Sequence, residues 1–181
     1  MNVCEDCVMR LFNTKNYNLR GVGNPYYGKC IVIPNVDYSA YKKGSLTFSN
    51  QVDIIKSLIS STGELEDLYI LPFIRCNETI SCELTDDIYT RCLTYFSSDL
   101  KKYDFKDIML LGDAGRRFLN CDIKDNLDIV TISKNRRRYY INYSPLVKYI
   151  DNEKFEVFKH YLLKWYNSCN TKIYDYDFNI L

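Results

Sequence analysis

The chain has 181 residues, of which 46% are hydrophobic, enough for one buried core and short for two domains. Its 24 basic and 23 acidic residues nearly cancel, which excludes binding of nucleic acid or membranes through a strong overall charge. We therefore predict a single domain over residues 1–181, on which any anion-binding surface is local. With no apolar signal segment and no membrane-spanning run, we expect an intracellular protein without a membrane partner.

Short apolar runs typical of buried strands alternate with helical patterns along the chain. Residues 1–28 are expected to be irregular and residues 35–47 to form a polar loop. Strands are predicted at 29–34, 68–74, 107–111, 128–132 and 138–142. The second strand is expected to end or bulge at Pro72. Helices are predicted from Ser49 to before Gly63, from Thr85 to Lys102, from Asp113 to Leu119, and from Glu153 to Cys169.

This alternation predicts an α/β fold with three layers, α/β/α, around a mostly parallel four-stranded central sheet. Ligands of such folds bind at the carboxyl ends of the strands. We expect one crevice there, formed by residues 35–38, 72–75, 112–113 and 142–145. The tail, residues 170–181, alternates apolar with polar residues and is expected to add an edge strand or to bind a partner protein.

Eight cysteines in an intracellular protein favour metal ligation over disulfides. Cys4 and Cys7 form a C-x-x-C pair, which suits iron or zinc. Cys76 and Cys92, with fifteen residues between them, complete a set of four thiols for an all-sulfur site. Cys82 lies between the last two and competes as a ligand. The cysteines expected to be small core residues are Cys30, Cys121 and Cys169.

The cysteine spacing and flanking residues resemble the family 4 uracil-DNA glycosylases. That family opens with C-x-x-C, has K-C-R-P after a strand, and carries its last ligand on a helix before an aromatic or Leu pair. The sequence has Arg75-Cys76 and Arg91-Cys92-Leu93-Thr94-Tyr95-Phe96 at these places. Residues 108–119 resemble the family's vivtLGxxAxxxLL, and Asn142-Tyr143-Ser144-Pro145 its tyHPs.

The resemblance extends from about Cys4 to Trp165 and implies the fold of that family, with a 4Fe–4S cluster on Cys4, Cys7, Cys76 and Cys92. Zinc is the alternative metal. A cluster in this place would be structural, joining the N-terminal segment to the sheet. Arg75 and Arg91 flank two of the ligands and are expected to balance the negative charge of the cluster.

The family's catalytic motifs are altered in this sequence. Asn35 stands in place of the acid that assists water activation, and an amide cannot act as a general base. Asp37, two residues on, is the candidate substitute. Pro72 replaces the base-reading Asn, and Ser144 replaces the charge-stabilising His by a neutral donor. The catalytic candidates are therefore Asp37, Asn35 and Ser144, and we expect uracil excision to be lost.

A local nucleic-acid surface is predicted from residues 134–140, the one dense basic run, where Arg136, Arg137 and Arg138 precede two tyrosines. The alternative is a solvated loop before a strand. Phe48 resembles the family's base-stacking aromatic, although a Phe packed at a helix N-terminus is an equal alternative. Asn142 and Tyr143 are expected near the bound base.

The sequence predicts an iron–sulfur protein of uracil-DNA glycosylase type with degraded catalytic motifs. Its role would be DNA binding or docking in a phage or viral replication or transcription assembly. One alternative is an active DNA glycosylase that hydrolyses the N-glycosidic bond of another base with Asp37 as its acid. The other is a protein-interaction scaffold that does not bind DNA. His160 is the single histidine and is expected at the surface of a helix, so a zinc site with several histidine ligands is excluded.

Overall fold

The computed structural model describes residues 4–59, 65–78, 84–119 and 136–168, together with the backbone of 132–134. Strands lie at Val22–Gly23 (β1), Lys29–Val36 (β2), Tyr69–Asn77 (β3), Asp107–Leu111 (β4), Ile132–Lys134 (β5) and Arg137–Asn142 (β6). Helices lie at Val8–Phe12 (α1), Tyr38–Lys43 (α2), Asn50–Ile59 (α3), Asp86–Lys102 (α4), Asp113–Leu119 (α5) and Asn152–Asn167 (α6). Short 3-10 helices lie at Leu46–Phe48 and Pro145–Tyr149.

The strands form one sheet in the order β1-β3-β2-β4-β6-β5. The four central strands, β3, β2, β4 and β6, are parallel, and the two edge strands are antiparallel to their neighbours. The predicted parallel four-stranded centre is therefore confirmed. Lys29, Asp107 and Arg138 lie in one row at the amino edge of the sheet, and residues that follow Val36, Leu111 and Asn142 meet at the carboxyl edge.

Helices cover both faces of the sheet. Cys30 and Val32 of β2 face a core that includes α4 and α5, whereas Ile31 and Ile33 face a core that includes α3 and α6. This alternation is what a strand buried on both sides requires. The three-layer arrangement follows from it.

Two segments expected to lack regular structure contain short elements. Residues 1–28 include α1 and β1, and residues 35–47 include α2. Helix α2 forms because the Asp37 side chain accepts a hydrogen bond from the N–H of Ala40 and Gly44 ends the helix in the left-handed conformation. Local capping, which apolar periodicity does not report, decides α2.

The expected end of the second strand at Pro72 is wrong, because β3 continues to Asn77. Strand β1 pairs only with Tyr69 and Ile70, so within the described ranges no strand lies beside Pro72 on the outer side of β3. An edge position tolerates the missing N–H of proline. The predictions for residues 128–131, Cys82, Cys121, Cys169 and the tail fall outside the described residues.

Candidate metal centre and ligand crevice

The four predicted ligand cysteines come together in the interior from three separate segments. Cys4 and Cys7 lie in the turn before α1, Cys76 lies near the end of β3, and Cys92 lies in the second turn of α4. All four side chains are buried. Each of the first two thiols is close enough to Cys76 and Cys92 to raise their pKa values electrostatically.

Buried Asn13 holds the N-terminal segment in this position. Its Nδ2 donates to the carbonyl oxygens of Met9 and Asn77 at 2.8 and 3.0 Å, and its Oδ1 accepts the N–H of Asn77 at 2.8 Å. The N–H of Leu19 also donates to the carbonyl of Arg75 at 2.9 Å. Asn13 was not among the predicted site residues, since a single Asn between Phe12 and Thr14 carries no periodic signal.

The environment of Cys76 and Cys92 is apolar, with specific backbone donors. Burial is the largest cause that raises the pKa of Cys76 to about 12 and that of Cys92 to about 11. Backbone hydrogen bonds from Asn18 to Cys76 and from Arg75 to Cys92 act in the opposite direction. These N–H groups stabilise the thiolate form, which is the form that binds metal.

A polar chain extends from Cys4 to the middle of α4. The hydroxyl of Tyr95 lies 3.3 Å from Cys4 Sγ, and the guanidinium of Arg75 lies 4.9 Å from the centre of the Tyr95 ring. Arg75, only 8% exposed, forms an ion pair with Asp99, and burial raises the pKa of Asp99 although Arg75 lowers it. The positive charge of Arg75 is thus already paired inside the protein. Arg91 pairs instead with Asp87 one turn earlier on α4.

The donor set fits an iron–sulfur cluster in chemical type, because four buried thiols and backbone N–H donors to sulfur are the features that such clusters use. In the described part of the chain, however, no three His, Cys, Asp or Glu side chains are arranged so that they could hold a metal ion. The thiols are gathered in one place without coordinating geometry.

Of the four segments predicted to form the crevice, 72–75 lies inside β3 rather than after a strand. Two others meet near the end of β2, since a Cβ atom on Gly112 would lie 3.1 Å from Pro34 Cγ and 3.3 Å from Ser144 Cβ. Gly112 has a φ of 58°, the left-handed region that favours glycine. The structure therefore brings two of the predicted loops together around the end of β2.

The two residues considered for the acid's role, Asn35 and Asp37, are both engaged in structural hydrogen bonds. Asn35 donates from Nδ2 to Glu78 at 2.7 Å, and its carbonyl oxygen accepts from Gln51 at 2.9 Å. Asp37 caps α2, and its Oδ2 accepts from the hydroxyl of Ser49 at 2.6 Å. Ser49 in turn accepts the N–H of Gln51 at 3.2 Å, as expected of the first turn of α3.

Residues of the third motif also make contacts within the fold. Asn142 is buried, and its Nδ2 donates to the carbonyl of Phe158 on α6 at 3.1 Å, which directs the amide into the core. Ser144 caps the 3-10 helix that follows by accepting the N–H of Leu146 at 3.3 Å. Tyr143 is half-buried, with the ammonium of Lys154 5.9 Å from its ring centre. A role of these residues in base binding stays a prediction.

Phe48 is exposed to 51%, in the 3-10 helix between α2 and α3 at the carboxyl edge. The ammonium of Lys43 lies 6.0 Å from its ring centre. Lys42 lies beside it in the last turn of α2 and is also exposed. This is an exposed aromatic ring with the ammonium of Lys43 nearby, rather than a ring packed into the core.

The predicted basic run lies at the other edge of the sheet. Arg136 is exposed in the turn before β6, at the amino edge. Arg137 donates to the carbonyls of Phe105 and Leu100, and Arg138 pairs with Asp107 at 2.6 Å. The arginines and Phe48 are therefore separated by the length of the parallel strands. They do not form one continuous surface.

Comparison with models of known protein families and with curated proteins found no match for this chain. None of the helices in the described ranges is long and apolar enough to cross a membrane.

Proposed function

We propose that this chain is a 4Fe–4S protein of the uracil-DNA glycosylase type that binds nucleic acid without excising a base. The observation that carries this proposal is the convergence of Cys4, Cys7, Cys76 and Cys92, from three distant segments, in the interior. These are the cysteines that match the cluster ligands of the resembled family. When bound, the cluster would join the N-terminal segment to β3 and α4.

The absence of base excision is supported by the hydrogen bonds of the crevice. A general base must be directed within hydrogen-bond reach of the water that it activates. Asp37 instead accepts hydrogen bonds from Ala40 on one oxygen and from Ser49 on the other. Asn35 and Ser144 are neutral, and both have partners within the fold.

Nucleic-acid binding at the carboxyl edge is supported by Phe48 and its neighbouring lysines. An exposed ring beside ammonium groups suits stacking of an unpaired base next to its phosphates. The distance of 6.0 Å between Lys43 Nζ and the Phe48 ring allows both groups to contact one nucleotide. We call Lys42, Lys43 and Phe48 the crevice surface.

The cluster is tested by purification without oxygen, followed by absorption spectroscopy and measurement of iron and acid-labile sulfide. Wild type is expected to be brown, with absorption near 400 nm. Replacement by serine of any one of the predicted ligands, Cys4, Cys7, Cys76 or Cys92, should lower the iron content. The control variant Cys30→Ala changes a buried cysteine outside the predicted ligand set and should retain the iron. A colourless protein that contains zinc would contradict the iron–sulfur cluster. Loss of iron in Cys82→Ser together with retention in Cys92→Ser would contradict the choice of ligands.

Binding and excision are tested on the same DNA. Fluorescence anisotropy with single-stranded DNA should show affinity that falls with salt and that decreases in a variant with Phe48→Ala and Lys43→Ala. Incubation with uracil-containing DNA, followed by alkali, should leave the strand intact. Strand scission that disappears in Asp37→Asn would establish the alternative, an active glycosylase. No affinity at low salt would favour the protein-interaction scaffold.

A further inference from the structure

Tyr26 is an exposed aromatic residue in a fixed position at the amino edge of the sheet. It is 84% exposed, in the loop that leads into β2. Its ring packs edge-on against Tyr103 with 5.9 Å between centres, and Tyr103 packs on Tyr69 and Phe105 at 5.7 and 5.5 Å. Tyr69 and Phe105 are buried, so Tyr26 is the outermost ring of an aromatic cluster anchored in the core.

Hydrogen bonds also fix the backbone of the loop that carries Tyr26. The N–H of Tyr26 donates to Oδ1 of Asn24 at 3.0 Å, and Nδ2 of Asn24 donates to the carbonyl of Glu66 at 2.9 Å. These bonds form an Asx turn that fixes the loop against the segment before β3. The solvent-facing side of the ring is thus presented in one orientation, which lowers the entropy lost on stacking.

Cations from three segments lie at the same edge of the sheet as this ring. The ammonium of Lys102, at the end of α4, lies 4.9 Å from the centre of Tyr103. Arg20 and the hydroxyl of Tyr26 both act electrostatically on Lys102 and therefore lie near it. Arg137 donates to the carbonyl of Leu100 in the last turn of α4, which brings the turn containing exposed Arg136 to the same edge.

Three acidic groups of this region have cationic partners, whereas Asp67 accepts from the hydroxyl of Tyr166 at 2.6 Å. Asp99 forms its ion pair with Arg75 inside the protein, and Asp104 is paired with Lys106 at 2.7 Å. Asp107 is paired with Arg138. Arg20 and Lys102 are both exposed, and both also act electrostatically on Asp99.

We propose a second nucleic-acid surface, the amino-edge platform, which is formed by Arg20, Tyr26, Lys102 and Arg136. An unpaired base stacks on Tyr26 there, while the flanking phosphates contact the three cations. A π-face next to guanidinium and ammonium groups suits a single strand, because any base stacks and the backbone supplies the anions. Duplex bases are stacked on each other and cannot reach the ring. The 8 residues of β2 separate this platform from the crevice surface by about 25 Å.

The platform is tested by binding of a twelve-nucleotide oligothymidylate to a chain that already carries Phe48→Ala and Lys43→Ala. In that background Tyr26→Ala should weaken binding about tenfold, and Tyr26→Phe should retain it. Arg20→Ala with Lys102→Ala should lower the slope of log affinity against log salt by about 0.7 for each cation removed. Leu11→Ala with Lys15→Ala, which removes an exposed apolar and a cationic side chain elsewhere, is the matched control and should change neither quantity.

Photocrosslinking gives a second measurement that does not depend on mutation. With 5-iodouracil in the oligonucleotide, we expect a crosslinked peptide that contains Tyr26 or Tyr27. Unchanged affinity in the platform variants, or crosslinks confined to the Phe48 peptide, overturns the platform and leaves the crevice surface standing. Wild type without affinity for the oligonucleotide overturns both surfaces, whereas the iron content decides the cluster independently.

Discussion

The side chain of Asn13 pairs with the backbone of Asn77 through two hydrogen bonds, as one strand pairs with another: Oδ1 accepts its N–H at 2.8 Å and Nδ2 donates to its carbonyl at 3.0 Å. The same Nδ2 also closes the end of α1 by donating to Met9. One buried amide therefore connects the segment of Cys4 and Cys7 to the strand of Cys76, without any metal ligand taking part.

We expect Asn13→Ala to lower the free energy of unfolding by about 2–3 kcal/mol, because it leaves buried backbone groups of Asn77 without partners. Urea denaturation followed by circular dichroism measures the change. Asn152→Ala, at the exposed start of α6, should remain within about 0.5 kcal/mol of wild type. An equally small effect at Asn13 would show that the N-terminal segment is not held by this side chain.

Breaking the Arg75–Asp99 pair is expected to cost more than breaking an exposed pair on the same helix. Arg75→Met should lower the free energy of unfolding by about 3 kcal/mol, since the mostly buried Asp99 loses its partner. Arg91→Met, which removes the exposed pair with Asp87, should cost less than about 0.5 kcal/mol. Adding Asp99→Leu to Arg75→Met should recover most of the loss in thermal or urea unfolding. If the double variant stays as unstable as Arg75→Met, the lost stability comes from the contact of Arg75 with Tyr95 and not from the unpaired Asp99.

Substitution of Asp37 separates a capping role from a catalytic one. Asp37→Ala should destabilise the protein by about 1–2 kcal/mol through loss of the α2 cap, whereas Asp37→Asn should retain most stability because its amide oxygen still accepts the N–H of Ala40. Unfolding measurements on both variants test this. If Asp37→Ala is as stable as wild type, the carboxylate is not held by the cap, and its availability for catalysis has to be reconsidered.

Gly112→Ala tests whether the three strand ends meet at the crevice. The added Cβ would crowd Pro34 and Ser144 at 3.1 and 3.3 Å and would occupy a φ of 58°, so we expect a loss of about 1–3 kcal/mol. Gly28→Ala is the matched control, since it also has a positive φ but its Cβ would approach only one atom, at 4.0 Å. Equal destabilisation of both variants would show that backbone strain alone, and not crowding at the crevice, accounts for the effect.

Much of the architecture could be predicted because it is encoded in local patterns. The predicted bounds of β4 and α5 agree with the structure, and the long helices α3, α4 and α6 were predicted to within a few residues. Strands buried on both faces and amphipathic helices carry continuous or periodic apolar residues that a sequence displays directly. The short α1 and α2 were missed, because caps and tertiary contacts, rather than periodicity, form them.

The sequence by itself determined the α/β class and the order of the central strands and helices along the chain. Only the tertiary structure decided where the polar side chains point and which edge each segment occupies. Asn142 points into the core towards Phe158, and the arginines of β6 lie at the amino edge, far from Phe48. The physical reason is that the direction of a strand and the partners of a side chain depend on the register between segments distant in sequence. That register is set by packing of the whole sheet.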